Sequence, residues 1–141
     1  MSHQHSVTAT SQPSGLVNLD AEGLPEIISG PPPQFGGSGQ EWSPEDLLVA
    51  AVADCFVLSF KAIAAASKYE WIDLRCDATG TLDKVERAML FTEVAIKATL
   101  KISSDADADR AERLLQKAEQ TCFITNSLKA EPVLEIEIQT A

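Results

Sequence analysis

Hydrophobic positions along the chain change period several times, and each change marks a predicted element. From residue 1 to about 29, Val7, Leu16, Val17, Leu19, Ile27 and Ile28 alternate weakly between the turn-forming segments Gln12-Pro13-Ser14-Gly15 and Asp20-Ala21-Glu22-Gly23. Short antiparallel strands are expected there. Gly30 to Gly39 is rich in prolines, which lack a backbone donor, and in glycines, which relax the dihedral limits, so it reads as a loop. Ser43-Pro44-Glu45-Asp46 then opens a helix. Ser43 suits the cap and pairs with Asp46 in a capping box, Pro44 suits the first helical position, and the two acids favour the positive helix end. The apolar run that follows reaches about Ser67, roughly 35 Å at about 1.5 Å per residue. Being apolar on nearly all sides, it should cross the core.

After Tyr69 the period becomes two. Ile72, Leu74, Cys76 and Ala78 share one face, opposite Asp73, Arg75, Asp77 and Thr79, in a half-buried strand expected to end at Gly80. Thr81 to Met89 fits either a connection or a further strand. Alternation returns with Val94, Ile96, Ala98, Leu100 and Ile102 inward. From Asp105, Ala108, Ala111, Leu115, Ala118 and Cys122 step by three and four, as on one face of a second helix, and Leu134, Ile136 and Ile138 form a closing strand. Strands apolar on one face, with two helices on that face, define an α+β class: antiparallel sheets packed on a long buried central helix. A length of 141 residues suits one domain spanning 1–141.

Charge narrows the functions. A formal net charge of -10, with no basic run interleaved with aromatics, repels phosphates and argues against a nucleic-acid partner. The first fifteen residues carry neither a basic nor an apolar leader pattern, so the expected location is cytoplasmic. Leu47 to Ala66 is apolar apart from Asp54, Ser59 and Lys61. Two charges near the middle of a membrane span would each cost roughly 2.5–3.5 kcal/mol, so no membrane is expected and the helix should be buried in protein.

The candidate chemistry lies in three cysteines, an odd number that leaves at least one unpaired. Cys55 falls in the middle of the apolar helix, and Cys122 at the end of the second helix on its core face. The two could meet inside the domain as a reactive pair, or each could fill space as a small apolar side chain. Cys76, in step with Ile72 and Leu74, reads as core filling.

Trp42-Ser43-Pro44-Glu45-Asp46-Leu47-Leu48-Val49-Ala50-Ala51-Val52-Ala53-Asp54-Cys55-Phe56 resembles the helix of the OsmC/Ohr family, which pairs a Pro-Glu start with a cysteine ten residues after the Glu. Cys122-Phe123-Ile124-Thr125-Asn126-Ser127-Leu128 is similar to that family's second cysteine motif, and the likeness extends from about Pro32 to the C-terminus. The resemblance implies an OsmC-like fold in an intertwined homodimer and a peroxidase with no metal, flavin or other cofactor. It gives Cys55 the attack on an organic hydroperoxide, forming a sulfenic acid, and Cys122 its resolution to a disulfide that a dithiol reductant then reduces. Glu45 matches the family's Glu. An apolar surround would favour organic peroxides over hydrogen peroxide. The alternative keeps the fold without the catalysis, as a dimer that binds a small hydrophobic ligand or serves in thiol redox sensing.

The chain departs from the family at one point. The arginine that family members bring from the N-terminal region, paired with the Glu, to hold the cysteine ionised has no counterpart: residues 1 to 60 contain no Arg and no Lys. Burial in apolar surroundings raises a thiol pKa, and a helix end acts mainly within its first turn, so another source of stabilisation is required. Lys61, Arg75 and, if the N-terminus folds back, His3 or His5 are the candidates.

Overall fold

The computed structural model describes residues 2–141. The chain packs as two compact units, the first ending at Leu48 and the second running from Val49 to Ala141. In the first unit, β1 (Thr8–Thr10), β2 (Val17–Asp20) and β3 (Ile27–Ser29) form an antiparallel sheet in that order, with Leu19 opposite both Ala9 and Ile27. Gly15 and Gly23, at φ 99° and 77°, take the left-handed turn conformations that the two turn segments require. The proline-rich segment is a loop with one 3-10 turn, Pro33–Phe35.

The capping box forms as expected. The Asp46 N–H donates to Ser43 Oγ at 3.0 Å, and the Ser43 N–H donates to Asp46 Oδ2 at 3.2 Å. This starts α1 (Pro44–Ala66), which continues unbroken into the second unit.

The second unit holds the sheet β4 (Asp73–Val85), β5 (Ala88–Ile102) and β6 (Pro132–Thr140), in that order. Every inward residue expected on β5, from Val94 to Ile102 in steps of two, is no more than 2% exposed. These pack with Val52, Phe56, Phe60 and Ala64, which recur every fourth residue of α1. The cluster is completed by Ala111, Leu115 and Ala118 of α2 (Ala108–Gln120). Trp71 adds an edge-on ring contact to Phe60 at 5.4 Å. The Arg110 guanidinium donates to the Ser67 carbonyl and lies over the Tyr69 ring, placing a cation at the negative end of α1.

Four details differ from the sequence expectations. β4 does not end at Gly80 but continues through a bulge at Thr81/Leu82 and turns at Glu86 into β5. Gly80 serves close approach instead: a Cβ there would lie 2.8 Å from Phe91 and 2.8 Å from Val49. Ile72 falls outside the strand and is 51% exposed. Antiparallel pairing holds within the first sheet and between β4 and β5, but β6 pairs with β5 in parallel. Its connection carries α2, and a parallel return needs such a crossover.

Last, α1 buries a single stripe within one chain. Leu58 is 56% exposed, so the all-round burial expected of this helix is not reached within a single copy. By length and composition α1 would pass for a membrane span, yet its buried stripe is seated in a protein core and it carries Asp54 and Lys61.

Removing a fully buried core side chain should cost far more than removing the helix cap. We expect Leu115→Ala to lower unfolding stability by about 2–5 kcal/mol and Ser43→Ala by about 1 kcal/mol, measured by urea denaturation.

Candidate thiol site

Cys55 immediately precedes the core residue Phe56, so it stands about 100° round the helix from the buried stripe. Ser59, one turn further on, shares its face, with the hydroxyl 3.9 Å from the Cys55 sulfur. Cys122 comes to the same place by a different route from the one expected. The second helix ends at Gln120, and Cys122 is instead the N-cap of a separate short helix, α3 (Phe123–Asn126). The residue is fully buried, and its carbonyl accepts from the Asn126 N–H at 3.1 Å and from Thr125 Oγ1 at 3.3 Å. The step of four from Ala118 to Cys122 kept the residue on the core side although the helix had ended.

This break supplies the donors that the site needs. The first N–H groups of any helix have no partner within it. In α3 those of Phe123 and Ile124 lie near Cys55 and lower its pKa. Burial raises the Cys55 pKa, but the Ile124 N–H, the Cys122 thiol, the Ser59 hydroxyl and the Phe123 N–H all favour the thiolate. The net result lies below the ordinary 9.0. Cys76, opposite Ala98 on β4, behaves in the reverse sense: burial, the Asp77 carboxylate and Cys122 push it up to about 11. It packs against the core as expected.

Neither Arg75 nor Lys61 is what stabilises Cys55. Arg75 is spent on Asp77, at 2.9 Å on the solvent face of β4, with its side chain 74% exposed. Lys61 is exposed and does not line the hollow beside Cys55. Glu45 sits in the first turn of α1, where its Oε2 is buried without a hydrogen-bond partner. α1 has no break, so the step of ten residues from Glu45 to Cys55 corresponds to about 15 Å along its axis.

Cys55 opens into a hollow of about 530 Å³. Its apolar wall comes from Leu58, Ala62 and Ile63 of α1 and from Phe123 and Ile124 of α3, while Ser59 and Asp54 supply polar atoms. The sequence reading did not single out Ser59, although its place four residues after Cys55 was a signal that could have found it. The two N–H donors had no side-chain signature, because they act through the backbone of residues that otherwise read as apolar filling.

The fold and this geometry define an α+β protein with one half-buried thiol, Cys55, at an apolar hollow and a second, fully buried thiol, Cys122, near it. A family model of the OsmC-like proteins matches residues 37–137, and the chain belongs to that family. It is 28% identical over 98 residues to peroxiredoxin OsmC of Escherichia coli, covering 70% of this chain and 68% of that protein. Among solved structures, an OsmC-like protein of unknown function from Vibrio cholerae superposes with a TM-score of 0.85 at 24% identity, over 96% of this chain and 99% of that one. The organic hydroperoxide resistance protein OhrB of Bacillus subtilis superposes with a TM-score of 0.69 at 20% identity, over 97% and 98% of the two chains.

The thiols should therefore separate by pH. Alkylation by iodoacetamide followed from pH 5 to 11 should show Cys55 reacting with a midpoint below 9.0 and Cys76 only near pH 11. Because a lowered pKa means more thiolate at a given pH, Ser59→Ala should move the Cys55 curve to higher pH. An unmoved curve would remove the hydroxyl from the site.

Proposed function

We propose that this protein is a thiol-dependent peroxidase that reduces organic hydroperoxides, with Cys55 peroxidatic and Cys122 resolving. The observation that carries this is the Cys55 thiol, favoured as thiolate by the Ile124 and Phe123 N–H groups and by the Cys122 thiol, at the edge of an apolar hollow. The Cys55 thiolate attacks the terminal oxygen of ROOH. The O–O bond breaks, and RO⁻ leaves with the bonding pair and takes a proton from solvent to become ROH. Cys55 is left as sulfenic acid. Deprotonated Cys122 attacks that sulfur, the S–S bond forms, and hydroxide leaves to be protonated to water. A dithiol reductant then returns two electrons and two protons to the disulfide. A resolving thiol held nearby would trap the sulfenic acid before it can oxidise further. The relative named as a peroxiredoxin and the structural neighbour named for organic hydroperoxide resistance support the same chemistry.

The same reading makes the functional form a homodimer in which the two compact units act as one OsmC-like domain spanning 1–141. An unbroken helix of 23 residues, apolar over most of its surface yet buried on one stripe, favours a second copy against its open face. Glu45 would then serve the Cys55 of the partner subunit, which resolves the axial separation within one helix. A specific observation also favours the non-catalytic alternative: the hollow is of a size for a small hydrophobic ligand.

Mixing reduced protein with cumene hydroperoxide should consume two thiols rapidly, with Cys55→Ser abolishing the loss. In Cys122→Ser, Cys55 should proceed to the sulfinic acid, which is read by mass. Thiols lost no faster than those of free cysteine would favour the ligand-binding role. Sedimentation velocity at micromolar concentration should give a dimer, and a stable monomer would rule out the shared arrangement.

A further inference from the structure

Among the residues lining the hollow beside Cys55, Asp54 is the only one that carries a charge. The residue is exposed, and no ion pair or hydrogen bond engages its side chain among the described residues. The wall around it is supplied by groups such as Leu58, Ile63 and Phe123, and no Lys, Arg or His joins them. Its neighbour in sequence, Cys55, is the thiol that the ligand must reach. From this arrangement we infer that Asp54 sets the charge selectivity of the site. It admits neutral and cationic hydrophobic hydroperoxides and discriminates against those that carry a carboxylate. The N-terminal strands of a second copy would bring no Lys or Arg, since residues 1 to 60 contain none and His3 and His5 are the sole basic side chains there, while Glu45 of that copy would add negative charge in the same sense.

The physical basis is an exposed, unpaired carboxylate beside an apolar wall. Two like charges about 8 Å apart at an effective dielectric of about 40 to 80 disfavour each other by a few-fold in binding, and more where apolar walls exclude water. Salt at about 1 M, with a screening length near 3 Å, should remove most of the discrimination. The inference rests on the peroxidase reading for its substrate class but not for the selectivity itself.

Two measurements keep these apart. The first is calorimetric binding of decanoate and decyltrimethylammonium to Cys55→Ser, which share a tail and differ in the sign of the head. The ammonium should bind about fivefold or more tightly, and adding Asp54→Asn should shrink the preference by about that factor, as should high salt. The second is kcat/KM of the unaltered protein for the hydroperoxide of linoleic acid against that of its methyl ester. The acid should be reduced about fivefold more slowly, and Asp54→Asn should bring the two together. An unchanged preference in Asp54→Asn, or no binding of either amphiphile, overturns the inference. If the ester is not reduced while the binding preference follows Asp54, the selectivity stands and the peroxidase reading fails.

Discussion

The seating of one stripe of α1 on β5 governs the rest of the second unit. Val52, Phe56, Phe60 and Ala64 recur every fourth residue and meet the alternate residues of β5 in one core. Because helix rotation is fixed by which stripe is buried, the orientation of every other α1 side chain follows. Cys55 and Ser59 fall on the adjacent stripe, at the boundary between core and hollow. That boundary suits a reactive thiol: full burial would suppress ionisation, and full exposure would forfeit the donors.

The missing arginine gives the site its particular character. Residues 1 to 60 offer Cys55 no Arg or Lys, and it meets instead backbone N–H groups at the start of a short helix, a neighbouring thiol and a hydroxyl. Such donors are held in place by the fold and bring no countercharge into the hollow, so among the described residues Asp54 is the only charged group on its wall. A site stabilised by dipoles and bordered by a carboxylate differs electrostatically from one built on a guanidinium, although the fold is shared.

Some of this was legible in the chain itself. Ser43 and Asp46 marked the start of α1, because capping chemistry is local and needs only neighbours in sequence. The period-two run from Val94 to Ile102 identified the most buried strand, since one-sided burial imposes alternation whatever packs against it. Cys55 and Cys122 stood out by spacing and by resemblance. Arg75 did not survive as an activating cation, because its nearest acid, two residues along the same strand face, holds it.

The sequence by itself determined where α1 begins, which faces are apolar and which residues carry thiols, because these depend on local backbone preferences and on periodic burial. Tertiary structure settled that β4 passes through Gly80, where the missing side chain makes room for Phe91 and Val49. It also settled that β6 returns in parallel and that Cys122 caps its own short helix. The placement of the Phe123 and Ile124 amides near Cys55 belongs with these. Each depends on groups far apart in the chain coming within a few ångströms, and the backbone donors among them are common to nearly all residues, so no side-chain pattern could announce them.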